Sequence, residues 1–190
     1  MSVAGSHTMT PAEFLDWEQR QETKYEFDGF APVAMVGVTR AHSIIQGNIL
    51  TALINRLRGT SCRPHGPELK VEVAGRIRYP DAFVACGAGG ANDSIITDPV
   101  VIFEVLSPGS DRRDRITRNE EYRLTPSVRR YVMPEQDEPA ANVFAREGDR
   151  RVGTLLRGDV ILALPEIGVE VPLAEFYEGL DFPPDHAPTA

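Results

Sequence analysis

The apolar stretch VVIFEVL contains a single carboxylate, Glu104, in a segment whose composition is typical of a buried β-strand. An ionised carboxylate in an apolar interior costs several kcal/mol unless it is paired with a cation or bound to a metal. Strand alternation puts Glu104 on one face of the sheet with Ile102 and Leu106, and puts Phe103 and Val105 on the other face. Any fold of this chain must therefore bring a compensating group to Glu104.

Four segments predict helices. TPAEFLDWEQRQ begins one, because Thr10 can cap it and Glu13 completes a capping box. RAHSIIQGNILTALINRLRG predicts the longest helix from an apolar stripe that recurs about every four residues, and Gly59 ends it. A charged helix is expected over about residues 111–124, and VPLAEFY, residues 171–177, predicts a short final helix.

The remaining segments predict strands. KYEFDGFAPVAMV is typical of a β-hairpin with Asp28-Gly29 as its turn. LKVEVA, YPDAFVAC and VVIFEVL follow the long helix, RRYVM is expected in the core, and ANVFARE and RRVGTLL predict a second hairpin. This order predicts an α/β (α+β) domain with one mixed β-sheet flanked by helices.

Length and composition limit the function classes. The 190 residues predict one domain over residues 9–178, with residues 1–8 a leader or tag and disordered, and residues 179–190 a loose, Pro-rich tail. No apolar run approaches the roughly 20 residues that span a bilayer, so no membrane partner is expected. Cys62 and Cys86 lack metal-ligand spacing, which predicts free, reduced thiols in a cytoplasmic protein.

Four acidic residues stand where apolar or structural residues are the default: Glu26, Asp81, Glu104 and Asp114. If the strands of Asp81 and Glu104 are neighbours, their carboxylates can lie side by side at one end of the sheet. They then repel each other unless a cation lies between them or one takes a proton, and Mg²⁺ suits such a pair. Asp114, Arg118 and Tyr122 follow at helical spacing, so Arg118 can point back toward the same place.

Each acid also has a simpler interpretation. Glu104 could pair with Arg118 or Arg130 in a structural salt bridge. Asp81 could be a strand-entry residue that follows a proline. Glu26 could be the cross-strand partner of a basic side chain on an exposed hairpin.

The basic and aromatic candidates carry the same ambiguity. The net charge of −8 and the pI near 5.0 argue against nucleic-acid binding by the whole surface, but the arginines near the charged helix could contact phosphates locally. The same arginines could form a solvated face that neutralises Glu120 and Glu121. His42 is typical of a surface or capping histidine, with a catalytic role as the alternative, and Tyr122 is expected to pack.

The segments YEFDG, YPD, VIFEVLSPGS and VRRYVM, with the His42 helix and the Asp114–Arg118–Tyr122 spacing, resemble in this order the Uma2 family. Uma2 is a bacterial family of restriction-endonuclease-like proteins in the PD-(D/E)XK nuclease superfamily, and the resemblance covers roughly residues 9–178. It implies a restriction-endonuclease-like core and a divalent metal, Mg²⁺ or Mn²⁺, held by Asp81 and Glu104.

The resemblance also implies roles for the residues around Asp81 and Glu104. Glu26 would complete the metal shell or hold a water, and the backbone carbonyl of Val105 would be a further ligand. Catalytic roles fall to Asp81, Glu104, Arg118 and Glu26. Accessory roles fall to His42, Asp114 and Tyr122, and contacts to nucleic acid to Arg112, Arg113 and Arg115.

The chain departs from the superfamily pattern where a lysine is expected two residues after the second acid, because that position holds Leu106. In Uma2-like sequences the lysine is expected on the following helix, at the position of Arg118. Arginine stays charged and can clamp a phosphate, whereas lysine can lose its proton and position a water. Base catalysis by this residue is therefore not expected.

The resemblance thus implies a metal-dependent endonuclease that hydrolyses phosphodiester bonds in DNA, as a homodimer because cutting two strands takes two sites. Two alternatives stay open. One is a nuclease fold that has lost catalysis and serves as a binding or regulatory module. The other is a metal-dependent phosphoesterase that acts on RNA or nucleotides.

Overall fold

A computed structural model of the chain describes residues 9–35, 37–107 and 112–182, with the backbone alone for residues 112–114. Residues 1–8 and 183–190, which include the predicted leader and most of the predicted tail, lie outside the described residues, and the domain limits stay a prediction. The helices are α1 (Pro11–Glu18), α2 (Arg40–Leu57) and α3 (Arg112–Leu124). The strands are β1 (Tyr25–Phe27), β2 (Pro32–Ala34), β3 (Cys62–His65), β4 (Lys70–Val73), β5 (Arg76–Arg78), β6 (Ala82–Cys86), β7 (Ile95–Ile96), β8 (Pro99–Phe103), β9 (Arg130–Pro134), β10 (Ala140–Glu147), β11 (Arg150–Arg157), β12 (Ile161–Leu164) and β13 (Val169–Pro172).

The described strands form three sheets. The largest has the order β11-β10-β9-β8-β6-β3 and is mixed, since β8 runs parallel to β9 while the other neighbours are antiparallel. A five-stranded sheet has the order β2-β1-β5-β4-β7, and β12 pairs with β13. The predicted mixed sheet is confirmed. The two further sheets were not predicted, because a strand pattern in the sequence does not show which other strand it pairs with.

The predicted helix signals are found in the structure. Thr10 and Glu13 form the capping box of α1, and the Thr39 side chain caps α2. The buried face of α2, which includes Ile45, Ile49 and Leu53, packs in the cluster that covers one face of the six-stranded sheet. Each such side chain contributes about 1.5–3 kcal/mol of burial free energy. Of the predicted final helix, Leu173–Tyr177 forms a 3₁₀-helix, and the two residues before it belong to β13.

The alternation predicted around Glu104 is confirmed. Val101, Phe103 and Val105 belong to the cluster under α2, whereas Ile102 and Leu106 belong to the cluster on the opposite face. The expected strand, however, ends at Phe103, so Glu104 follows β8 instead of interrupting it. Its backbone N–H still donates to the carbonyl of Val132, 3.0 Å away, which extends the contact with β9. Glu104 therefore stands at the end of the sheet.

The predicted free thiols are wrong, because Cys62 and Cys86 form a disulfide. The sequence pattern did not predict β3, whose antiparallel pairing with β6 places Cys62 directly opposite Cys86. Two cysteines 24 residues apart carry no local signal that their strands are neighbours. The bridge ties the edge strand of the six-stranded sheet to the strand that Asp81 precedes.

We expect reduction of this disulfide to lower the free energy of unfolding by about 3 kcal/mol, since the bridge closes a loop of moderate length in the unfolded chain. Urea unfolding with and without dithiothreitol measures the change. The Cys62→Ser/Cys86→Ser double variant is the control, because the reductant should not alter its midpoint. Two free thiols in the untreated protein, with no effect of the reductant, would contradict the bridge.

Candidate functional site

Asp81 and Glu104 line the same pocket because β6 and β8 are antiparallel neighbours. Ala82, the first residue of β6, pairs with Phe103, the last residue of β8. The residue before one strand and the residue after the other therefore lie at the same end of the sheet. Both carboxylates line a pocket of about 280 Å³. Its other polar lining residues include Glu26, His42, Arg115 and Arg118.

Asp81 is held by three donors. The Nε2 atom of His42 lies 2.7 Å from Oδ1, and the Gln46 side-chain amide donates to the same oxygen over 3.1 Å. The backbone N–H of Val105 donates to Oδ2 over 2.8 Å. His42 is only 5% exposed, so the expectation of a surface histidine is wrong. Instead, the imidazole fixes the orientation of Asp81.

Sequence reasoning missed Gln46, although a signal for it was present. Gln46 lies four residues after His42 on α2, so both side chains are on one face of the helix. Because His42 was a candidate site residue, the polar side chain of Gln46, one helical turn later on the same face, should have been a candidate as well. Its amide also donates to the Asp81 carbonyl over 3.2 Å.

Glu104 accepts two hydrogen bonds at one oxygen. Nη1 of Arg118 donates to Oε1 over 3.1 Å, and the hydroxyl of Tyr122 donates to the same atom. The hydroxyl of Tyr131 lies 3.5 Å from Oε2. Burial raises the pKa of Glu104 above its ordinary value, the charge of Glu26 raises it further, and Arg118 and Tyr122 oppose the rise. Burial raises the pKa of Tyr122 as well, so its hydroxyl keeps the proton it donates.

Arg118 joins Glu104 to Glu26. Its Nη2 donates to Glu26 Oε2 over 2.7 Å, and its Nη1 donates to Glu26 Oε1 over 3.2 Å. Glu26 also accepts from the Tyr79 backbone N–H over 3.2 Å and from Arg78 over 3.3 Å. The salt-bridge interpretation of Glu104 is thus confirmed for Arg118, whereas Arg130 pairs with Glu166. Glu26 does have basic partners, but its own side chain is buried, whereas the second strand of its hairpin is largely exposed.

Some side chains of the charged helix α3 form ion pairs at the site, and others form ion pairs at the solvent-exposed surface. The alternative that arginines of its own helix neutralise Glu121 is not what the structure has, since Glu121 pairs with Arg78 of β5 over 2.7 Å. Glu120 and Arg123 form an exposed pair, as the solvated-face interpretation predicted. Arg115 lines the pocket. The side chains of Arg112, Arg113 and Asp114 lie outside the described part of the chain, so the roles predicted for them stay predictions.

The donor chemistry of the pocket suits a hard divalent cation, but the full predicted shell is not assembled. In the described part of the chain, no three His, Cys, Asp or Glu side chains are grouped to hold a metal ion. Glu26 is engaged by two arginines and a backbone N–H. Asp81 and Glu104 are the pair that fits, since carboxylate oxygens are what Mg²⁺ prefers. The roles of Glu26 and of the Val105 carbonyl stay predictions.

A model of the Uma2 family, described as "Putative restriction endonuclease", matches residues 11–174. The chain belongs to the Uma2 family. It is 28% identical over 179 residues to "Uncharacterized protein slr1290" of Synechocystis sp., covering 92% of this chain and 94% of the relative. It is 24% identical over 156 residues to "Uncharacterized protein sll1609" of the same organism, covering 80% and 88%.

A solved structure has the same fold as this Uma2 chain. The crystal structure of "a putative nuclease belonging to DUF820" from Anabaena variabilis superposes with a TM-score of 0.74 and 17% identity, over 89% of this chain and 97% of that one. The predicted family and the predicted nuclease-type mixed α/β fold are therefore confirmed. None of the helices in the described ranges is long and apolar enough to cross a membrane.

We expect Tyr122→Phe to lower the free energy of unfolding by about 1.5–3 kcal/mol, because it removes a buried hydrogen bond to a carboxylate. Urea unfolding at pH 7 measures this loss. Tyr25→Phe, at a half-buried tyrosine of β1 away from Glu104, is the matched control, with an expected change within about 0.5 kcal/mol. Equal losses in the two variants would show that the Tyr122 hydroxyl contributes no special stabilisation.

Proposed function

We propose that this Uma2 protein is a divalent-metal-dependent endonuclease that hydrolyses phosphodiester bonds in DNA. The observation that carries the proposal is the convergence of Asp81, Glu104 and Arg118 on one pocket at the end of the mixed sheet. The family match and the nuclease-type fold support the reaction class. The finer parts of the proposal, the metal and the DNA substrate, rest on the chemistry of the pocket.

Asp81 and Glu104 would hold the ion, Mg²⁺ or Mn²⁺. When bound, such an ion supplies a polarised phosphoryl oxygen and a water of lowered pKa. The chain prepares Asp81 for this role, because His42, Gln46 and the Val105 N–H fix both carboxylate oxygens. A ligand that is already oriented loses less side-chain entropy on binding.

Arg118 supplies charge and not base catalysis. A guanidinium stays protonated under all working conditions, and its fork of donors matches the oxygens of a phosphate. Beside Glu104, it would offset the negative charge that develops on a phosphodiester during hydrolysis. Leu106 cannot exchange a proton either, and it carries no charge. Of the two positions where lysine is expected, only that of Arg118 therefore contributes to the site, and its contribution is electrostatic and positional.

We propose that DNA approaches along α3. Arg115 lines the pocket from this helix, and Arg112 and Arg113 precede it in the sequence. A local basic face is needed because the chain as a whole carries a net charge of −8. A homodimer belongs to the proposal, since cleavage of both strands takes two sites. So does a cytoplasmic location, although disulfides are rare in that compartment.

A second candidate function is a nuclease-fold module that binds nucleic acid without cleaving it. The observation that favours this alternative is the double pairing of Arg118, which partly offsets the charges of Glu26 and Glu104 without any metal. A pocket whose negative charge is partly offset in this way has a weaker demand for a divalent ion.

We expect purified protein to nick plasmid DNA with Mn²⁺ or Mg²⁺ and not with EDTA. Asp81→Asn and Glu104→Gln should each reduce the rate on the order of 100-fold or more, because each removes a charged metal ligand. Gel analysis of supercoiled plasmid measures the rate. Asp159→Asn, at an exposed site away from the pocket, is the matched control and should retain full activity.

The remaining outcomes decide between the candidates. DNA retardation without cleavage at any metal concentration would favour the binding module. Cleavage of RNA alone would favour the phosphoesterase. Equal activity in the wild type and both site variants would place the activity outside this pocket.

A further inference from the structure

We propose that the Arg118 guanidinium takes the place of a metal ion between the Glu26 and Glu104 carboxylates. It excludes a second divalent ion there, and its charge opposes the binding of a single ion by Glu104 beside Asp81. The inference rests on the proposed metal site and adds a residue that competes with the metal.

The first argument is geometric. One nitrogen, Nη1, lies 3.1 Å from Glu104 Oε1 and 3.2 Å from Glu26 Oε1, while Nη2 lies 2.7 Å from Glu26 Oε2. A single guanidinium thus bridges two carboxylates that line the same pocket. Two carboxylates this close to each other would need a cation to offset their repulsion, and in a two-metal site a second divalent ion would supply it. Here the Arg118 guanidinium supplies it.

The second argument concerns the unequal strength of the two contacts. Arg118 makes a two-pronged contact with Glu26 and a single contact with Glu104. Glu26 is anchored further by Arg78 and by the Tyr79 N–H. Bidentate pairs are the stronger and more directional ones. The contact with Glu104 is therefore the weaker of the two and would break first, and the guanidinium would remain bound to Glu26.

The third argument is electrostatic. In the described part of the chain, Glu104 is paired with one cation, Arg118, whereas Asp81 is held by His42, Gln46 and a backbone N–H. An ion beside Asp81 would draw on the Glu104 carboxylate, and its charge would repel the guanidinium held by the same carboxylate. Metal binding and the Arg118–Glu104 contact therefore oppose each other. When that contact breaks, the N–H of Nη1 that Glu104 accepted becomes available to a phosphate oxygen in the pocket, while Nη1 and Nη2 remain on Glu26.

The test is Mn²⁺ binding by calorimetry to the wild type, Arg118→Gln and Arg115→Gln. Arg115 also lines the pocket, so its variant reports the general effect of removing one positive charge. We expect Arg118→Gln to bind the first Mn²⁺ about 10-fold or more tightly than Arg115→Gln, within the usual range of site coupling. We also expect Arg118→Gln to bind a second Mn²⁺, and the wild type and Arg115→Gln to bind only one. Adding Glu104→Gln to Arg118→Gln should abolish both gains.

If Arg118→Gln does not fold, Arg118→Lys keeps the charge and loses the two-pronged contact, and it should bind Mn²⁺ more tightly than the wild type. Thermal unfolding gives a second measurement, in which Mn²⁺ should stabilise the Arg118 variant more than the Arg115 variant.

The possible results separate this inference from the proposed function. Binding in the wild type with equal changes in the Arg118 and Arg115 variants overturns the inference and leaves the proposed function standing. Binding in Arg118→Gln but not in the wild type, even with added DNA, supports the inference and contradicts a metal-dependent native enzyme. Absence of binding in all variants overturns both.

Discussion

The pairing of β6 with β8 is the constraint on which the site depends. Because the strands are antiparallel and Ala82 faces Phe103, the chain enters one strand and leaves the other at the same end of the sheet. This single register gathers Asp81 and Glu104, although 23 positions separate them in the printed sequence. A slip of one residue would turn Glu104 toward the apolar cluster under α2, where no cation pairs with it.

Once the carboxylates are gathered, the surrounding elements must supply positive charge. Arg118 comes from α3 and Arg78 from β5, and with Glu26, Glu104 and Glu121 they form a series of alternating charges. Buried ion pairs add little stability compared with apolar packing, but breaking one by removing a single partner is costly. The series therefore fixes where α3 lies against the five-stranded sheet more than it adds to the total stability of the fold.

The part of this arrangement that sequence could predict is the part set by neighbours along the chain. The Thr10–Glu13 capping box, the stripe of α2 and the alternation around Glu104 depend on residues a few positions apart. The Cys62–Cys86 bridge and the Arg78–Glu26 pair depend on which strands become neighbours, and no local pattern encodes that choice. The candidate acids were singled out because acids in apolar or strand-entry positions are unusual. Helical spacing predicted that Arg118 points back toward them, whereas Tyr122 was expected to pack, and its hydrogen bond to Glu104 was not predicted.

Arginine in place of lysine changes the energetics of the pocket as well as its chemistry. A lysine can lose its proton and yield to an incoming ion, whereas a guanidinium must move while it is still charged. If an ion binds Glu104 only after Arg118 has moved away, the apparent affinity for the metal is reduced by the fraction of molecules in which Glu104 is free. If Glu104 is free in about one molecule in a hundred, the apparent dissociation constant rises about a hundredfold. Under the proposed function, a substrate phosphate that accepts the guanidinium would restore the lost affinity, and metal and phosphodiester would bind cooperatively. On this argument, the nuclease and the inert binding module differ by the free energy of one arginine–carboxylate contact.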